Sequence, residues 1–421
     1  MTSLKLHWQI LIAIILAAIA GTLSGTNTVI LGINIYEAYQ FIGTLFLNAL
    51  KMIVVPLIVA SIITGVAGLG HNEALGRLGL KTLGFYTLSS FLAIMVGLLL
   101  VNLVQPGIAN GQPIKELLGL DSQAVAEVTA KVAGRDTSDI VDIFVRMIPT
   151  NVVDAAANGE MLGLIFFAIL FGFFMTKIQK EHYDTLMSFW QGIMDTMIAM
   201  TLWVMKFAPI GVFGLVAKTV ASTGFAALVP LLTFAGVVLA GLLTHIFVVL
   251  PLLLFVFVKI KPQTHFKTMT PALLTAFSTA SSSATLPMTM ECVKKSGASN
   301  RTTSFVLPLG ATVNMDGTAL YECVAAMFIA QAYGIELSLS MQFTVVLLAL
   351  LTSIGVAGIP AASLVAITII LTAIGLPVEA IGLILVTDRV LDMCRTAVNV
   401  YSDSCAAVII AKSEKEVVYA H

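Results

Sequence analysis

The last apolar stretch of the chain, residues 381–411, carries Asp388, Asp392, Arg395, Asn399 and Asp403. At 100° per residue these fall at roughly 0°, 40°, −20°, 20° and 60°, a stripe of about 80° on one helical face. Arg389 projects off that stripe. Ile384, Leu385, Val390, Val400 and other apolar residues fill the rest, so the helix reads as membrane-embedded with its charges turned away from lipid. Each charge in a bilayer core costs on the order of 3 kcal/mol on insertion scales, which marks such a seam as a functional site. A second constellation, Gly310 to Glu322, centres on Asn314-Met315-Asp316-Gly317-Thr318. Asn, Gly and Thr inside a span read as an unwound turn exposing carbonyls and one carboxylate, oxygen ligands suited to small hard cations. The thiolates or paired histidines of a transition-metal site are absent from it.

Asp316, Asp388, Asp392 and Asp403 stand against the single Arg395 of the stripe, an excess of negative charge that a low-dielectric core does not tolerate unpaired. Bound cations are expected to neutralise it. Arg395 is then expected to face an anionic group of a substrate, which a guanidinium holds bidentately. Asp392, about one turn away, is placed to take an ammonium group. An amino acid with a side-chain carboxylate satisfies both. The competing reading, an internal ion-pair network, leaves carboxylates over, because one arginine cannot pair four of them. A membrane enzyme is disfavoured: there is no nucleophile–base pair, and the Ser281–Ser283 run has no histidine partner in the seam.

The elements that must position these residues follow from composition. Charged residues make up 11% of the 421 and hydrophobic residues 58%, against about 25% charged in soluble chains, so this is a polytopic membrane protein. Spans are expected at 8–23, 35–66, 82–104, 161–174, 187–216 (with a bend at Pro209-Ile210-Gly211) and 226–258. Residues 106–139 read as an exposed loop, and 142–156 as a short amphipathic helix broken at Pro149. Cys292, Cys323, Cys394 and Cys405 lack metal-site spacing and read as packing residues. Between 266 and 295 the apolar run is cut by Ser278-Thr279-Ala280-Ser281-Ser282-Ser283. Each arm of about 12 residues reaches some 18 Å, too short for a core of about 30 Å, which is the pattern of a re-entrant hairpin. A second interruption, from Ser353 to Ser363, cuts residues 342–376. Two such breaks, each followed by a full span with intramembrane charge, point to a transporter built from inverted repeats around a midplane site. With the N-terminus inside, Arg77, Lys81, Lys259, Lys261, Lys267, Lys294, Lys295, Arg301, Lys412 and Lys415 all fall inside, against Lys115, Lys131, Arg135 and Lys218 outside.

At these residues the chain resembles the dicarboxylate/amino acid:cation symporter family, the glutamate and aspartate transporters of prokaryotes and animals. The resemblance is carried by Ser281-Ser282-Ser283-Ala284-Thr285-Leu286-Pro287, by Asn314-Met315-Asp316-Gly317-Thr318, by Gly355-Val356-Ala357-Gly358-Ile359-Pro360, and by Asp388 through Asp403. It covers essentially the whole chain. It implies an all-α polytopic membrane protein of eight transmembrane helices plus two re-entrant hairpins, with inverted repeats, working as an elevator. Residues 1–76 and 106–222 would form a scaffold holding a homotrimer, and residues 77–105 and 223–421 a transport domain. The place would be a plasma membrane, the inner membrane in a prokaryote, with both termini cytoplasmic, and no nucleic-acid partner.

By position, the resemblance assigns Arg395 to the side-chain carboxylate of glutamate or aspartate and Asp392 to its amino group. Thr396, Asn399 and the backbone near Ser282 would hold the α-carboxylate, with Thr318 and Gly358 nearby. Sodium ligands would be Gly310, Asn314, Asn399 and Asp403 in one site; Tyr86, Ser89, Ser90, Asn314 and Asp316 in a second; and Thr312, Met315, Ser353, Ile354 and Val356 in a third. Asp388 would support the first site. Asp403 favours sodium, because proton-coupled bacterial members tend to lack a carboxylate there. Three positions depart from the pattern. Glu322 resembles the animal transporters, where an acid is associated with proton co-transport and potassium counter-transport. Ala280 and Met393 lack the extra arginine that relatives place at one of the two. Val356 replaces a small or hydroxyl residue. The alternatives are a proton-coupled glutamate/aspartate symporter using Glu322 and, from another class, an anion-conducting channel.

Overall fold

The structure is a computed structural model that describes residues 6–30, 32–68, 73–109, 111–114, 145, 148–158, 161–223, 228–353 and 362–419. Helices account for nearly all of it. α1 (Leu6–Ser24) and α2 (Ile35–Ala67) are joined through a short strand pair, Val29–Ile30 with Ile33–Asn34. Asn34 caps α2 by accepting from the Tyr36 amide at 2.9 Å, and Pro56 is carried inside the helix without ending it. α3 (Glu73–Val104) begins well before residue 82, taking in the polar turn around Arg77 and Lys81. Of the expected loop, Ile108–Ala109 pairs with Gln112–Pro113, and residues 115–144 lie outside the described set. Past Pro149, α4 is the single short helix Val152–Asn158.

α5 (Met161–Met175), α6 (Lys180–Met205) and α7 (Ala208–Thr223) follow. The bend expected at Pro209-Ile210-Gly211 falls just earlier: α6 and α7 meet at 56°, across Lys206–Phe207. Proline in a first helical turn lacks an amide that would be unpaired there anyway, so Pro209 starts α7 rather than breaking it. α8 (Leu228–Thr244) and α9 (Leu250–Val258) are continuous through a π-helical segment, His245–Val249. Arg77–Val104 and Val229–Val258 are each long and apolar enough to cross a membrane, and the bent α6–α7 pair makes a third such stretch.

The interrupted segments are helix pairs. α10 (Pro262–Thr279) and α11 (Ser282–Lys295) pack on each other. Ala280 terminates α10 with φ at 49°, and Ser281 caps α11 through the Ala284 amide. α14 (Leu339–Ser353) and α15 (Ala362–Ile374) form the second pair; its tip, with Ile354, Val356 and Gly358, lies outside the described residues. Between the pairs, α12 (Asn300–Val313) and α13 (Asp316–Tyr333) are separated by extended backbone at Asn314 and Met315, where the sequence placed an unwound turn. α16 (Ile381–Ser413) carries the charged stripe.

Every residue of α13 except Gln331 is buried, as expected of a helix apolar on all sides. It packs on α3, α8, α14, α15 and α16, while α1, α2, α5, α6 and α7 pack chiefly among themselves. Apolar burial gives no drive between helices inside lipid, so close approach over small residues does this work. A Cβ on Gly21 would lie 2.6 Å from the Ala217 carbonyl oxygen, where α1 meets α7.

One end of the molecule is fastened by the C-terminal tail. Glu414 receives Arg77 and Lys81, both at 2.6 Å. The Tyr419 amide donates to the Ser296 carbonyl at 2.7 Å. Glu416 accepts from the Ser299 amide (2.7 Å) and from the Ser299 and Thr302 hydroxyls (2.6 Å each). Burial raises the Glu416 carboxyl, and these hydrogen bonds more than offset it, holding the group below its ordinary 4.5. A depressed folded value means the contact stabilises at neutral pH and is lost as pH falls through that value. Glu416→Gln should therefore lower thermal stability by on the order of 1 kcal/mol at pH 7, a figure already discounted for a half-exposed group. The difference from wild type should close as pH falls through the depressed folded value, below the ordinary 4.5; a gap that stays open in acid melting curves would contradict the assignment.

Candidate functional site

Two arrangements of buried charge meet on α16. The first is a quartet. Arg395, 1% exposed, reaches both Asp388 and Asp392 from its single Nη2, at 3.0 Å each. Its plane lies over the Tyr321 ring at 3.7 Å, a cation–π contact strengthened by the burial of both groups. Nε and Nη1 of Arg395 are buried and have no hydrogen-bond partner. Arg389 is also buried and its Nη1 lies 3.3 Å from Asp392 Oδ2. Arg389 lies off the stripe by projection, but the projection fixes only the Cα, and a long guanidinium side chain crosses one turn to its i+3 neighbour. Two aspartates and two arginines thus balance. Asp388, expected to support a sodium site near Asp403, stands on this face, about 22 Å along the helix from Asp403.

The second arrangement is unbalanced. Asp316 opens α13 and takes Ser90 (2.7 Å) and Ser89 (3.2 Å) hydroxyls from α3 on one oxygen. Its other oxygen takes the Ser402 hydroxyl at 2.6 Å and His245 Nε2 at 2.9 Å. Asp403 accepts from Asn314 Nδ2 at 2.9 Å, and the same amide donates to Ser402 at 3.0 Å. Asp316 and Asp403 are 0% and 2% exposed, and among the described residues neither meets a lysine or arginine. The extended backbone at Asn314 brings its side chain between α3 and α16. Gly310 is required to be bare: a Cβ there would sit 2.4 Å from Asp403 Oδ1 and 2.6 Å from the Tyr86 hydroxyl. Tyr86 itself donates to the Val306 carbonyl at 2.7 Å.

The two arrangements are bridged. The Gly317 amide donates to Asn399 Oδ1 at 2.8 Å, and Asn399 Nδ2 donates to the Thr318 hydroxyl at 3.1 Å. The first turn of α13 thereby rests on α16 between Arg395 and Asp403. Thr396 is buried and bonds the Asp392 carbonyl within its own helix. Ser282 is buried at the start of α11, and Met315 at the break before α13. Thr312 and Ser353 spend their hydroxyls on carbonyls of their own helices, those of Leu309 and Leu350. Ile354, Val356 and Gly358 remain outside the described residues. Glu322, one turn along α13 from Thr318, accepts from Thr352 at 2.7 Å, and its Oε1 is buried without a partner.

Sequence reasoning passed over His245, Ser402, Tyr321 and Arg389. His245 carried a signal, since an ionisable residue within an apolar span marks a functional site. Arg389 carried the same signal, while Ser402 and Tyr321 carried none, because their partners are set by packing between elements far apart in the chain.

Chemically, the unbalanced arrangement gathers carboxylate, amide and hydroxyl oxygens with no fixed cation, which is the ligand set of a small hard cation. The balanced one presents guanidinium donors and a carboxylate, which is the complement of an amino acid with an extra acidic group. Residues 6–413 match the sequence profile of the sodium:dicarboxylate symporter family. A proton/sodium-glutamate symport protein of Bacillus caldotenax is 40% identical over 414 residues, covering 98% of this chain and 96% of its own. A proton/glutamate-aspartate symporter of Escherichia coli is 36% identical, covering 97% and 93%, and mouse excitatory amino acid transporter 3 is 33% identical, covering 98% and 87%. With match and geometry in agreement over the same helices, the chain belongs to the sodium:dicarboxylate symporter family.

Proposed function

We propose that this protein is a secondary active symporter that takes up L-glutamate or L-aspartate coupled to sodium ions. One observation carries the reading: the buried charge is balanced where a substrate would sit and unbalanced by two aspartates where cations would sit. Nε and Nη1 of Arg395 are the donors for the side-chain carboxylate, and Asp392 receives the ammonium. Thr396, Asn399 and backbone near Ser282 hold the α-carboxylate, beside Thr318 and Gly358. Sodium is cargo here. One ion replaces the hydroxyl contacts of Ser89 and Ser90 on Asp316, with Tyr86 and Asn314. Another sits at Asp403 with oxygens of Gly310, Asn314 and Asn399. A third uses Thr312, Met315, Ser353, Ile354 and Val356. The names of the relatives, glutamate, aspartate and sodium among them, support the substrate and the ion.

The same reading makes eight spans of α1, α2, α3, α5, α6–α7, α8–α9, α12–α13 and α16, with α10–α11 and α14–α15 as the hairpins. The separate packing of α1, α2 and α5–α7 from α3 and α8–α16 supports a scaffold (1–76 and 106–222) and a sliding transport domain (77–105 and 223–421). An apolar cavity of 390 Å³ between α2, α6 and α7, edged by exposed Leu45, Trp203, Phe207 and Ile210, suits a homotrimer contact. Arg77, Lys81 and Lys295 gather at the end fastened by the tail, with Lys412 and Lys415 beside it, which supports cytoplasmic termini in a plasma membrane. Arg389 sets a second guanidinium beside Asp392, the feature that Ala280 and Met393 lack.

Glu322 supports a second reading, proton coupling with potassium exchange. A buried carboxyl with one neutral donor and one orphaned oxygen is suited to carrying a proton. Labelled aspartate uptake into proteoliposomes, with sodium and pH gradients imposed separately, decides between them. A sodium gradient alone should drive accumulation, and accumulation on a pH gradient with sodium absent would overturn sodium coupling. Arg395→Cys should lose at least about 2 kcal/mol of aspartate affinity while small neutral amino acids gain access. Because that change also strips Asp388 of its partner, it is to be made together with Asp388→Asn; unchanged aspartate affinity in the double variant would refute the role of Arg395.

A further inference from the structure

A cavity of about 770 Å³ opens between α9, the π-helical segment before it and the first arm of the first hairpin. It is remote in chemistry from the charged seam. Its walls are apolar: Ile246, Phe247, Pro251 and Phe266. An aromatic ladder closes it on one side, with Phe247 and Phe266 at 5.6 Å between ring centres and Phe266 and Tyr401 at 5.6 Å. Its mouth is basic, formed by Lys261 and Lys267, both exposed and, among the described residues, without an ion-pair partner. Its floor is backed by the ring of Tyr401, which is 0% exposed and packs behind Phe266.

We propose that this cavity is a binding site for one anionic phospholipid of the leaflet that faces the lysine-rich end. Charge complementarity fixes the polar half: the phosphate lies between Lys261 and Lys267. One acyl chain follows Pro251, Phe247 and Ile246. From Lys259 back to Phe247 the helix runs about 18 Å, the span of a glycerol backbone and the upper part of a chain. Val248, Leu252, Phe255 and Val256 are all more than half exposed on the same helix, so the apolar wall opens to lipid rather than to water. The π-helical segment makes the room, since the extra residue in one turn displaces the wall outward, a distortion frequent at functional sites.

The site touches the transport machinery through the chain itself. Tyr401 precedes Ser402 and Asp403, and His245 begins the π-helical segment that lines the cavity. An occupant that fixes that segment fixes the His245 contact of Asp316.

The test uses the purified full-length protein, without sodium or amino acid, so its outcome is independent of what the protein transports. It is offered equal phosphatidylglycerol and phosphatidylcholine in mild detergent, and retained lipid is counted by native mass spectrometry. Wild type should keep about one phosphatidylglycerol per chain with at least about fivefold preference. Lys261→Gln/Lys267→Gln, at exposed positions, should lose that preference. Glycerol phosphate in solution should not displace the lipid. Wild-type retention in the lysine double variant, equal retention of the two lipids, or displacement by glycerol phosphate would overturn the proposal.

Discussion

Two carboxylates, Asp316 and Asp403, are buried in the centre of this molecule with hydroxyl and amide donors and a single imidazole around them, and with no lysine or arginine among the described residues. An ion in a low-dielectric interior loses its hydration, and neutral donors return part of that loss. Several features of the fold follow from holding these groups. The polypeptide leaves the helix at Asn314 and Met315 so that Asp316 can begin a new one. A carboxylate at a helix N-terminus faces the positive end of its dipole. Ser89, Ser90, Ser402 and His245 come from three other elements to the same carboxylate, and Gly310 gives up its side chain so that Asp403 can approach.

The substrate side has the opposite character. Asp388, Arg389, Asp392 and Arg395 compensate each other, so that face is stable before anything binds, and its buried unpaired donors include Nε and Nη1 of Arg395 and Nε of Arg389. Asn399 ties the two sides together: it accepts from Gly317 in the turn that carries Asp316, and it lies one helical turn from both Arg395 and Asp403. Any cation that draws the oxygens of that turn inward must move the groups that frame the substrate. Linkage makes the effect reciprocal, since whatever raises substrate affinity through this turn raises cation affinity by the same factor.

Much of this was legible in the sequence. The stripe on α16, the two interrupted segments and the break at Asn314 each depend on local periodicity or on residues that stop a helix, and those signals act over a few residues. The contact of Arg389 with Asp392 is hidden from the projection, because Cα positions ignore the reach of a flexible side chain. The bend between α6 and α7 was put on Pro209 itself, whereas proline prefers the first turn of the helix that follows. His245 and Ser402 could not be joined to Asp316 from spacing, for they come together only through the packing of α8 and α16 against α13. The separation of balanced from unbalanced charge, which decides where cations go, is a tertiary property and no single stretch encodes it.

The most direct test of this separation is equilibrium binding of sodium-22 to the purified protein in the absence of any amino acid. Wild type should bind sodium saturably, Asp403→Asn should lose a site, and Arg395→Cys/Asp388→Asn should retain the wild-type number. Equal binding by wild type and Asp403→Asn, or loss of binding in the substrate-face variant alone, would contradict the account.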